Sequence, residues 1–181
     1  MSGRPHPARP VAELRLELLV LGGTLTAIGA GLLTRAATLD VAAREIVPAL
    51  LQSVIVMVLV ALLLRRGYGR AAAVAEPLPL GVVLETRGST VQRSASGAAW
   101  ATVAVLLVDA LLERVVFADS GASVPPAVLV GALWLGAGTA SLLLSLLVAR
   151  WQRRSGTTFL RAVTSRMLFP DLRPTLYTRG D

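Results

Sequence analysis

Residues 46–64 read Ile-Val-Pro-Ala-Leu-Leu-Gln-Ser-Val-Ile-Val-Met-Val-Leu-Val-Ala-Leu-Leu-Leu and stop at Arg65-Arg66. At about 1.5 Å of rise per residue, an uncharged run of this length spans roughly the 30 Å hydrocarbon core of a bilayer. Upstream, a second apolar run covers 18–34 and gains a further turn from Leu14 to Leu16. Downstream, two more cover 98–117 and 127–149. The expected fold is therefore an all-α membrane protein with four transmembrane helices, arranged as two hairpins.

Composition agrees. Of 181 residues, 54% are hydrophobic and only 16% charged, and the mean hydropathy is +0.67. A soluble domain of this length carries more charge than that, so the surplus apolar surface must face lipid. The net charge is +7. In a soluble chain this would point to nucleic acid; here the basic residues fall between the apolar runs, where they set topology. All basic side chains apart from His6 are arginine, which reads as the codon usage of a GC-rich bacterial genome.

Cysteine is absent and the single histidine, His6, lies in a Pro-rich N-terminal stretch. This composition excludes disulfides, thiolate catalysis, cysteine metal sites and haem held by paired histidines. No Ser–His pair, paired intramembrane aspartate, HExxH, P-loop or strand-linked GxGxxG occurs. Neither an enzyme nor a cofactor or metal site is expected.

Five segments follow. Residues 1–13 form a disordered tail, 14–64 the first transmembrane hairpin, 65–97 a cytoplasmic linker, 98–149 the second hairpin, and 150–181 a basic cytoplasmic tail. The alternative for the first run, a signal peptide, is disfavoured by its length and by the poor cleavage site at Arg35-Ala36-Ala37. Within the linker, 82–84 and 89–91 flank Arg87-Gly88 as a short hairpin would. Within the tail, Phe159, Val163 and Met167 recur at helical spacing, as in an amphipathic helix lying on the membrane.

Arginine placement orients the spans. Three arginines precede the first span, five lie in the linker and seven follow the fourth, while the two loops opposite hold Arg35 and Arg44. The positive-inside rule then places both termini and the linker in the cytoplasm of a bacterial cell, with the spans in its inner membrane. Tyr68, Trp100 and Trp151 fall at the inner boundary, where an aromatic belt belongs. The cytoplasmic arginines favour an anionic inner leaflet.

In lipid, small residues that let backbones approach replace hydrophobic drive as the packing signal. Gly23, Ala27 and Gly31 of the first span share one face, as do Ala132, Gly136 and Ala140 of the fourth. These faces are expected to pack on each other or on a second copy or partner.

The third span carries Asp109, Glu113 and Arg114, with the two acids at i, i+4. Counting from Phe117, Glu113 lies roughly 6 Å and Asp109 roughly 12 Å below the outer boundary. Gln52 and Thr26 lie at comparable depth, so a polar cluster in the outer half of the membrane is expected. An acid near mid-membrane costs about 2.5 kcal/mol on insertion scales, and its retention asks for a reason. Structural satisfaction by Gln52 or a threonine is one reason, a partner-binding surface a second, and proton or cation handling a third. The favoured function is a non-enzymatic accessory or assembly subunit acting by association with a membrane partner or a second copy. The alternative is a small proton or cation transporter or channel using Asp109 and Glu113.

Overall fold

The computed structural model describes residues 10–38, 43–116, 126–163 and 175–180; for 38, 43–46, 108–116 and 126–127 it describes the backbone alone. Four helices dominate: α1 (Leu14–Thr38), α2 (Ala43–Ala73), α3 (Arg87–Val116) and α4 (Pro126–Ser155). Among the described residues, three are long and apolar enough to cross a membrane, within α1, α2 and α4. Several hydroxyls of α3 and α4 are satisfied within their own helix. Thr102, Thr139, Ser141 and Ser145 each donate to a carbonyl three or four residues earlier, at 2.7 to 3.0 Å.

The chain is not all-α. Strands β1 (Val11–Glu13), β2 (Glu76–Pro77), β3 (Thr157–Ala162) and β4 (Leu176–Gly180) form one sheet in the order β1-β3-β4-β2. β1 and β4 run antiparallel to β3, and β2 runs parallel to β4. The expected disordered tail thus ends in a strand at Val11–Glu13, and residues 1–9 lie outside the described residues.

The expected amphipathic helix is strand β3 as far as Ala162, and Met167 lies outside the described residues. The reason is burial on both sides. Phe159 packs with the helices beside Leu14, Leu18 and Tyr68. Leu160 and Ala162 pack on the opposite side with Val11, Leu78, Val82 and Tyr177. Alternating residues therefore serve two cores, as a strand with period two requires. The expected linker hairpin is also absent. Leu84 bridges Val11, whereas 89–91 belong to the first turns of α3.

The two expected hairpins do not form as packed pairs. α4 lies between α1 and α2, which barely touch each other, and α3 packs mainly on α1. The α1–α4 contact is a backbone approach through glycines. A Cβ on Gly29 would lie 2.5 Å from the Leu135 nitrogen, and one on Gly138 would lie 2.5 Å from the Thr26 nitrogen. On α1 the contact face is Gly22, Thr26 and Gly29; Gly23, Ala27 and Gly31 are exposed one residue round the helix. Of the α4 row, Gly136 meets the Ser53 carbonyl of α2, Ala132 packs with Leu33 and Ala49, and Ala140 is buried. α4 needs small residues on two faces because it has a neighbour on each.

Gly29→Leu and Gly138→Leu each force backbone atoms apart and are expected to lower stability by about 1–3 kcal/mol or more, whereas Gly23→Leu leaves it unchanged. Thermal unfolding of the three variants in one detergent checks this. Equal loss from Gly23→Leu and Gly29→Leu would contradict the assigned face.

Candidate functional site

α2 and α3 run beyond their apolar segments toward the sheet. α2 continues past Leu64 to Ala73, and α3 begins at Arg87, ahead of the apolar run that starts at Ala98. The α3 start is capped by Thr86, whose Oγ1 accepts from the Ser89 N–H at 3.2 Å. These extensions carry the polar side chains that meet the sheet.

At the junction, Glu17 of α1 is 6% exposed and Arg161 of β3 is 7% exposed, so both charges are withdrawn from water. Arg161 Nη2 lies 3.1 Å from Glu17 Oε1, and Arg161 Nη1 donates to the Tyr68 hydroxyl of α2 at 3.3 Å. Arg93 of α3 donates through Nη1 to the same Glu17 oxygen at 3.0 Å. Its Nε and Nη2 grip Glu85 as a fork, at 3.1 and 2.9 Å. Thr90 donates to Glu85 at 3.1 Å. The chain Tyr68–Arg161–Glu17–Arg93–Glu85 thus joins three helices, β3 and the linker with two acids and two arginines. Glu17 also stands in the first turn of α1, where the helix dipole favours a carboxylate. Glu17 Oε2 and Arg161 Nε have no hydrogen-bond partner among the described residues.

Burial pushes the Glu85 carboxyl up, but the hydrogen bonds and charge of Arg93 outweigh it and hold the group below its ordinary value of 4.5. Hydrogen bonding to Glu85 raises Arg93 above its usual range despite burial. Beside the network, a cleft of about 400 Å³ opens between β1, β3, β4 and the start of α3. Its rim holds Glu13 and Arg87, 3.9 Å apart, together with Arg179. Among the described residues no group of three or more acids and histidines is placed to hold a metal.

None of these residues was singled out from sequence as a site. Arg93 and Arg161 entered only as topology charges, and Glu17 sits within an apolar run. The available signal was a lone acid in the first turn of a membrane-length helix, with an arginine between apolar neighbours at 159–162. Tyr68 was assigned to the membrane boundary; it is fully buried against the sheet. Of the expected polar cluster, Thr26 lies against Gly138 of α4 and Gln52 is exposed on α2, so the structure does not bring these two together. Thr26 Oγ1 has no hydrogen-bond partner among the described residues. The side chains of Asp109, Glu113 and Arg114 lie outside the described residues.

The class this architecture defines is a mostly helical protein with, among the described residues, three membrane-capable helices and a small sheet locked to one end by buried ion pairs. No protein-family model, curated protein or solved structure matches the chain.

Glu17→Leu strands Arg161 without its carboxylate and is expected to cost about 3–5 kcal/mol. Glu17→Leu combined with Arg161→Leu is expected to cost clearly less than the sum of the single changes. A double-mutant cycle by chemical denaturation measures this, and strict additivity would deny the pair. A carboxyl with a lowered native pKa stabilises above its unfolded value and loses that contribution as pH falls through the native one. The melting temperature is therefore expected to fall below about pH 4.5, less steeply in Glu85→Gln.

Proposed function

We propose that this chain is a four-span protein of the bacterial inner membrane. Its termini and linker are cytoplasmic, and it works without catalysis as an accessory or assembly subunit. The observation that carries the reading is the composition of the sheet. One strand comes from the N-terminal segment, one from the linker and two from the C-terminal tail, so all three sit at the same end of the helices. α1 leaves that end and α2 returns to it. α4 begins beside the far part of α1, where Val128 packs with Leu33 and Ala36, and it too ends at the sheet. A crossing by α3 supplies the remaining passage, and the arginine distribution assigns the sheet to the cytoplasm.

Association is favoured by the sheet's outer cover. Residues 78–82 cross from β2 toward β1, turning at Gly81 with φ +84°. Leu80 of this segment is fully exposed, and the adjoining Val83 largely so. Two exposed apolar side chains three residues apart on this cover are the surface we propose for a protein contact.

The absence of native cysteine makes topology directly measurable. In intact cells, an impermeant maleimide is expected to label Ser120→Cys, and to label Ser155→Cys only after permeabilisation. Labelling of both in intact cells would overturn the topology. For association, Leu80→Asp with Val83→Asp is expected to abolish a specific partner band in cross-linking while leaving the melting temperature within a few degrees of wild type. An unchanged cross-linking pattern would count against this surface.

A further inference from the structure

A second concavity lies away from the sheet, between α2 and α4, with a volume of about 370 Å³. Both helices run toward the sheet, and the groove follows them. Ala61 and Ala140 line it, and their small side chains leave it depth. Val58, Leu62 and Leu143 also line it, and each remains about half exposed. One charged group belongs to the lining: Arg65, at the point where the uncharged run of α2 ends. One turn further toward the sheet, the Trp151 ring comes within 3.9 Å of where a Cβ on Gly69 would sit.

We propose that this groove is a binding site for one anionic glycerophospholipid of the inner leaflet. An acyl chain lies along Val58, Ala61, Leu62 and Leu143, and the phosphate is held by Arg65. The assignment rests on reading α2 and α4 as membrane spans, and charge decides the occupant. Arg65 forms no ion pair among the described residues. An apolar helix from a partner or a second copy would cover the guanidinium without supplying an acceptor, a costly arrangement in a dry contact. A phosphate supplies two oxygens in the geometry a guanidinium fork matches. The position suits it: an arginine at the end of an apolar run reaches headgroup level, and a tryptophan one turn beyond marks the same interface. A zwitterionic lipid fills the groove equally well but adds a second cation near Arg65, so selectivity for net negative charge follows.

Native mass spectrometry of the full chain in detergent, titrated with phosphatidylglycerol and phosphatidylcholine of identical acyl chains, tests this. The wild type is expected to retain phosphatidylglycerol preferentially. Arg65→Ala should weaken that binding about five-fold and remove the preference, whereas Arg66→Ala, outside the lining, should keep it. Ala61→Phe fills the groove and should weaken both lipids. Glycerol 3-phosphate should not displace the bound lipid, since it lacks the chain. Equal retention of the two lipids by the wild type, unchanged selectivity in Arg65→Ala, displacement by glycerol 3-phosphate, or a second protein copy in place of lipid would each overturn the proposal. Cysteine labelling reads the topology separately, so a failure of the spans and a failure of the lipid site give different results.

Discussion

A carboxylate ion-paired with two guanidinium groups, shielded from water, joins the two halves of this molecule. Glu17 belongs to the first turn of α1, Arg161 to the central strand β3, and Arg93 to the extension of α3. Desolvating such charges costs several kcal/mol per ion, which mutual attraction returns only when geometry is good and the remaining donors are satisfied. The network meets much of that demand through the Tyr68 hydroxyl and the Glu85 fork. An apolar junction would let the sheet slide or rotate on the helix ends. Paired charges at fixed places favour one seating of the sheet, while replacing such a pair by well-packed apolar groups is often neutral for stability.

That seating determines the rest. β3 presents Phe159 and Arg161 to the helices and Leu160 and Ala162 to the covering segment, so the ion pair also fixes the register of the sheet. With β3 fixed, β1 and β4 pair on its two sides, and β2 extends the sheet by pairing with β4. Each end of the sheet is blunted: Pro77 lies in the edge strand β2, and Val83 and Glu85 bond to Val11 at the other margin. Within the helices a different constraint operates. The close α1–α4 contact depends on how nearly the two backbones approach, as between helices in any apolar surround. α4 carries small residues toward both α1 and α2 and becomes the central helix. α2 keeps large side chains outward along its length, and the groove bearing Arg65 appears where its small residue Ala61 faces Ala140.

Much of this was legible in the chain itself. Membrane-length helices follow from runs of uncharged residues long enough to match the thickness of a bilayer, a one-dimensional property that needs no knowledge of neighbours. The importance of glycine and alanine in α1 and α4 was also readable, because close packing in lipid admits few other residues. Which glycines matter was not: Gly22 and Gly23 are adjacent in sequence but on different faces, and the direction of α1 toward α4 selects the first. The sheet was hidden for a related reason. Its strands are short and come from segments far apart in the chain, and β1 and most of β3 are buried on both sides, so no alternation of polar and apolar residues announces them. The arginines carried two meanings that sequence cannot separate. Arg65 ends an apolar run and faces outward; Arg161 looks equivalent by composition yet is buried against Glu17, more than a hundred residues away. The apolar character of α1, α2 and α4 was thus set by local hydropathy, while the expected fourth span, 98–117, falls in α3, which is not among the described helices apolar enough to cross a membrane. The seating of the sheet and the choice of contact faces were decided only by tertiary structure, because they depend on which distant charges and backbones can meet without water.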